Sequence, residues 1–175
     1  MQDITIVKYE NKHFDLYENF VENSINGTIF HERKFISYHP ESRFDDCSLL
    51  FFKCENLVAV FPAAIIQKEN IKILKSHPGT SYGGLVIKEN LAYNFINSLF
   101  EKLEAYCKNY SINFIEFRHS PRIFLKNPLD QIEFVLINRG YIREAEELAT
   151  CYDLSQIKYL TQSQYINYYN NNTNT

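Results

Sequence analysis

The sequence has no tryptophan, one methionine and only five glycines among 175 residues. So little glycine excludes a collagenous or glycine-rich flexible chain. Three of the five glycines, Gly79, Gly83 and Gly84, stand within one short stretch. There are four cysteines, Cys47, Cys54, Cys107 and Cys151. None forms a CxxC pair, and no Cys/His set has zinc spacing, so no metal site is expected. The thiols are expected to be reduced, and Cys47, Cys54 and Cys107 to be core residues. No run of five or more Lys/Arg occurs, the formal net charge is −3 and the pI is near 6.0. That balance gives no general attraction to DNA or to an anionic membrane surface. No apolar segment of secretory type follows Met1. The longest apolar stretch, Leu57 to Ile66, contains Pro62 and falls far short of the ~20 residues that span a bilayer. The expectation is a cytoplasmic protein with no membrane span.

What is present is a globular composition. Hydrophobic residues make up 45%, and the 15% aromatic share comes entirely from Phe and Tyr. A chain of this size buries roughly 70% of its unfolded surface and needs no staple to fold.

Ile4 to Tyr9 is β-branched and aromatic, and reads as a strand. Phe14, Tyr17, Phe20 and Val21 have helical spacing and predict a helix over 13–24. Asn26-Gly27 breaks the chain. A short helix is expected over Glu32 to Tyr38, ended by Pro40. Ser48–Lys53 and Leu57–Ile66, joined by Cys54-Glu55-Asn56, predict a hairpin, with Pro62 as a bulge or edge position. Ile71–Lys75 and Leu85–Ile87 are further strands. Asn90 is the expected cap of a helix whose stripe is Ala92, Phe95, Ile96, Leu99, Leu103, Tyr106, Cys107 and Tyr110. Ile112 to Arg118 alternates as a strand. Strand, helix and strand in that order predict a βαβ unit with two parallel neighbours. A helix over Asp130–Asn138, stopped by Gly140, and a strand over Ala149–Leu154 complete an α/β (α+β) domain. Residues 1–158 are read as that domain. Residues 159–175, rich in Asn and Tyr, are read as a disordered tail.

This order of elements is similar to that of the GNAT N-acyltransferases. Asn26-Gly27-Thr28-Ile29-Phe30-His31 with Phe35, Tyr38, His39 and Pro40 resembles a segment of the FemAB-like branch of that family. So do Leu57 to Ala63, Ser76 to Leu85, and Phe134 to Tyr141 followed by Tyr152-Asp153-Leu154. The resemblance covers about residues 15 to 155. It implies transfer of an acyl or aminoacyl group, from acyl-CoA or aminoacyl-tRNA, to an amine of a cell-wall or surface-glycan precursor. Such proteins commonly carry two GNAT-like halves, and this chain matches the first. A homodimer, a separate second-half protein, a non-catalytic acceptor-binding module and an inactive remnant are all compatible with that.

The candidate site centres on Gly79-Thr80-Ser81-Tyr82-Gly83-Gly84. Glycines let backbone approach a ligand, and Thr80, Ser81 and Tyr82 offer hydroxyls; the same glycines could simply form a tight turn. Tyr82 is one catalytic candidate. Glu116 is the other, as a base for the attacking amine or as the structural ion-pair partner of Arg118. His119 follows Glu116 near the strand's end, where sites gather in open sheets. His31 and Tyr38, seven residues apart, are expected on one helix face lining a cleft; alternatively His31 satisfies a buried backbone group. The turn Lys88 to Ala92 has no glycine and carries Glu89, which disfavours a pyrophosphate at the following helix.

Overall fold

The computed structural model describes residues 3–40, 42–126 and 130–145. The chain divides into a unit spanning Met1–Glu144 and another spanning Ala145–Thr175, and the described elements all belong to the first. The expected strand at 149–154, Cys151, the segment Tyr152-Asp153-Leu154 and the tail 159–175 lie outside the described residues.

Three long extended stretches form the centre, and each is interrupted. The first gives β2 (Asp45–Asp46) and β3 (Leu49–Lys53). The second gives β4 (Asn56–Phe61) and β5 (Ala63–Lys68). The third gives β6 (Ile71–Ser76) and β7 (Val86–Ile87). Pro62 divides the second because it has no N–H to donate to a ladder. Its carbonyl still accepts from His77 N–H at 3.1 Å, and Ala63 O accepts from Cys47 N–H at 2.9 Å. The breaks therefore lie side by side. With β1 (Ile4–Lys8) and β8 (Phe114–Glu116), the strands make two four-stranded sheets, ordered β1-β3-β4-β7 and β2-β5-β6-β8. The expected single strand 57–66 is thus two strands in different sheets.

The βαβ expectation also needs correction. β8 runs parallel to β6, with Lys75 opposite Glu116, whereas β7 pairs antiparallel with β4. The loop from His77 to Gly84 interrupts the third stretch, so its first part meets β8 and its second part joins the other sheet. One isolated parallel bridge, Gly83 to His119, prolongs the β6–β8 pairing across the loop.

Alternation along the strands gives the first sheet two buried faces. Leu50, Val60 and Val86 pack with Tyr17, Phe20 and Val21 of α1 (Phe14–Glu22). Leu49, Phe51, Ala59, Phe61 and Ile87 pack with α3 (Tyr93–Asn109) and α4 (Asp130–Asn138). Each fully buried side chain of this size contributes roughly 1.5–3 kcal/mol. The α3 stripe buries Phe95, Ile96, Leu99, Leu103 and Cys107 as expected and Phe100 besides, while Tyr106 is half-buried and Ala92 and Tyr110, the latter 58% exposed, face solvent. Asn90 does not cap α3. The cap is Ala92, with no side-chain bond, because the helix begins two residues later than expected. The short α2 (Arg33–Ile36) is anchored by Arg33. Its guanidinium lies 4.0 Å from the Tyr9 ring centroid, bonds Ser48 Oγ at 3.0 Å and pairs with Asp46. Cys47 and Cys107 are buried as expected. Cys54 is not: it is exposed in the hairpin turn, at φ 53°. No helix among the described residues is long and apolar enough to cross a membrane.

Candidate functional site

The strand break at His77–Gly84 and the chain after β8 meet at the Gly83–His119 bridge. Gly83 N–H donates to Arg118 O at 2.7 Å, and Arg118 N–H donates to Ser76 Oγ at 3.0 Å. Alternation then turns Arg118 to one side and His119 to the other. A cleft lies on each side. The first, about 180 Å³, is lined by Lys75, Ser76, His77, Thr80, Tyr82 and Arg118. The second, about 160 Å³, includes Asn26, Gly83, His119, Ser120, Asp130 and Glu133 in its wall.

The glycine loop is held by its own polar groups. Thr80 is buried, and its hydroxyl lies 2.8 Å from His77 O and 2.9 Å from Tyr82 O. Gly79 is required by a close approach: a Cβ there would lie 2.4 Å from His39 Nε2, which bonds Gly79 O at 2.9 Å. Gly84 has φ +100°, a conformation that side chains rarely adopt. Ser81 is exposed, and its carbonyl accepts from Arg118 Nη1 at 3.4 Å. Asn26 bridges the loop's exit, donating to Leu85 O at 2.7 Å and accepting from Ile87 N–H at 2.8 Å.

Tyr82 joins an aromatic row. Phe30 meets it edge-on at 4.7 Å, and Phe124 stacks on it at 5.6 Å. His31 lies beyond, with its ring centroid 6.4 Å away. His31 Nδ1 accepts from Thr28 N–H at 3.0 Å, so the neutral ring carries its proton on Nε2. That atom is buried without a partner. Burial drives the His31 pKa down to about 4, against the raising effect of the Gly83 and Thr28 backbones. The Gly83 backbone lies close enough for that effect, yet no bond of proper geometry forms.

The structure brings together Tyr82, Thr80, Gly83 and His119 around the two clefts. Tyr38 is not among them. It is 84% exposed beyond the end of α2, and His31 sits in a separate 3-10 turn, Ile29–His31. The expected common helix face does not exist, because the chain is extended at Glu32 between the two. Glu116 does not pair with Arg118; its partner is Lys75, opposite it in register on β6, at 2.5 Å. His119 is exposed as a residue, but enough protein crowds its ring to lower its pKa by burial. The ring stacks on Phe117 at 5.9 Å. Sequence reasoning missed His77, the side chain of Arg118 and the amide of Asn26. Continuing the β8 alternation past Glu116 would have separated Arg118 from His119.

No family model matches the chain, and neither does any curated protein. Solved structures do. An aminoglycoside acetyltransferase from an uncultured soil metagenomic sample superposes with a TM-score of 0.55 at 11% identity, covering 86% of this chain and 99% of that one. A GNAT family acetyltransferase from Staphylococcus aureus gives 0.52 at 14% identity, covering 85% and 98%. The chain has the GNAT fold. A transcriptional regulator from Bacillus halodurans superposes about as well, with a TM-score of 0.51 at 10% identity over 85% and 99%. A shared fold therefore leaves the chemistry to be argued from the site.

The GNAT fold implies acyl-CoA, with its pyrophosphate at the N-terminus of the central helix. The residues at α3 do not fit it. Lys88 to Ala92 contain no glycine to bring backbone amides close, Glu89 is exposed there, and no side chain caps the helix.

Proposed function

We propose that this protein serves N-acyl transfer by holding and activating an amine-bearing acceptor at the Gly83–His119 bridge. The observation that carries this reading is the bridge itself, which sets His119 and Tyr82 at adjoining clefts. An amine attacks an acyl group only as the free base. A crowded His119 with lowered pKa is neutral at pH 7 and accepts that proton. Asp130 and Glu133 attract the ammonium form to the same cleft. Their pairs with Arg122 and Arg143 are at the surface, where such pairs are weak and separable. The Tyr82 hydroxyl has no hydrogen-bond partner among the described residues and supplies a proton to the departing group. Glu116 holds Lys75 in place and is a positioning residue here.

The segments Asn26–His31 and Ser76–Leu85 support a FemAB-like version of this reading, with an amine of a cell-wall or surface-glycan precursor as acceptor. The acetyltransferase acting on aminoglycosides among the structural neighbours supports an amino sugar. The misfit at α3 favours a second arrangement, in which another protein or a second copy supplies the donor.

The test is transfer to a panel of amino sugars and peptide amines, with acetyl-CoA and aminoacyl-tRNA as donors in separate arms. Tyr82→Phe and His119→Ala should each lower the rate about 100-fold. Glu116→Gln should lower it less than about tenfold. Wild-type rates in both of the first two variants would remove the assignment.

A further inference from the structure

Apart from Tyr82 and Lys75, the lining of the first cleft has no part in the acyl-transfer reading. Its lining includes the donor-bearing side chains of Lys75, Ser76, His77 and Arg118. Lys75 is neutralised by Glu116, but among the described residues no carboxylate pairs with Arg118. Arg118 makes one long bond, from Nη1 to Ser81 O at 3.4 Å, leaving most of its N–H groups unused. Its backbone is fixed on both sides, by Ser76 Oγ at 3.0 Å and Gly83 N–H at 2.7 Å, so the side chain starts from a rigid base. Ser76 is buried, and its oxygen accepts from Arg118 N–H, so its own hydroxyl proton remains to be given. His77 Nδ1 accepts from Gly79 N–H at 3.2 Å, which puts the proton of the neutral ring on Nε2. That N–H also has no acceptor among the described residues. Burial keeps the ring neutral, with its pKa down at about 4, the charge of Asp46 opposing only in part.

A guanidinium, a hydroxyl and an imidazole N–H on residues that line one cleft, each with N–H or O–H to spare, suit a ligand that only accepts. We propose that the cleft between His77 and Arg118 binds an oxyanion, the carboxylate or phosphate group of a ligand. Its volume of about 180 Å³ accommodates either group. The charge-assisted bonds from Arg118 supply affinity and orientation. Ser76 and His77 sit at the β6 end, where His77 N–H donates to Pro62 O and Ser76 Oγ accepts from Arg118 N–H, so the donors are held before a ligand arrives. This inference holds whether or not the chain transfers an acyl group.

The experiment is a titration of the full chain with inorganic phosphate and, separately, acetate, followed by amide resonances in two-dimensional NMR. One of the two anions should shift Ser76, His77 and Arg118 saturably, and which one does so identifies the ligand group. Arg118→Gln should weaken that binding at least about tenfold, the loss of one charge-assisted bond. Lys75→Met should weaken it less, since Glu116 already offsets that charge. The spectra themselves report whether each variant is folded, and Lys75→Met provides the comparison if Arg118→Gln is not. Non-saturable shifts with both anions, shifts spread over surface lysines, or unchanged affinity in folded Arg118→Gln would overturn the proposal. Loss of acyl transfer with anion binding intact would count against the proposed function alone.

Discussion

At the residue scale, the buried histidines set the response to pH. His31 and His77 both have pKa values lowered by burial from 6.5 to about 4. In the unfolded chain they bind protons at higher pH than in the folded one. Stability is therefore unaffected above about pH 6.5, falls as pH drops from there towards 4, and carries a fixed penalty below that. Each histidine costs on the order of 3 kcal/mol when the full difference is expressed. Urea midpoints measured across this range should decline steadily, and His77→Gln should flatten part of the slope. A level profile from pH 7 to pH 4 would mean that both rings reach solvent. Residue identity was legible in the sequence, but this behaviour was not. His31, His77 and His119 look alike as letters. Only packing makes the first two buried and leaves the third at a cleft.

At the element scale, Asn26 does the work of a missing strand partner. β7 is only two residues long and pairs with β4 on one side. On its other side Ile25 N–H donates to Ile87 O at 3.0 Å, and the Asn26 side chain satisfies Leu85 O and Ile87 N–H. Asn26→Ala strands a buried acceptor and a buried donor together. It should cost about 2–6 kcal/mol, from a desolvation penalty of roughly 1–3 kcal/mol for each of the two unsatisfied groups. Chemical denaturation measures this directly, and a loss below about 1 kcal/mol would mean that water replaces the amide. The elements themselves were largely readable. α4 spans the expected residues, and Gly140 ends it at φ +86°, with Tyr141 N–H donating to Leu136 O at 3.0 Å. Strand partners were less readable, because a proline marks where a ladder stops but not which sheet each piece joins.

At the scale of the whole molecule, the GNAT fold survives although the helix start that would hold a pyrophosphate does not fit one. The isolated chain is expected to bind acetyl-CoA weakly, with a dissociation constant above about 100 μM. Isothermal titration checks this, and micromolar binding would show that α3 accepts phosphate without glycine. The core explains how fold and site separate. Phe95, Ile96, Leu99, Phe100 and Leu103 bury α3 against both sheets whatever precedes Ala92. The sequence by itself determined the periodicities, the breaks at Asn26-Gly27 and Pro62, and the concentration of glycine at 79–84, because these depend on local backbone freedom and side-chain spacing. Only the tertiary structure decided that Glu116 belongs to Lys75, that Tyr38 stands apart, and that Arg118 and His119 face different clefts. Those are relations between strands distant in the chain. Register and the single Gly83–His119 bridge fix them, and neither is encoded in any one segment.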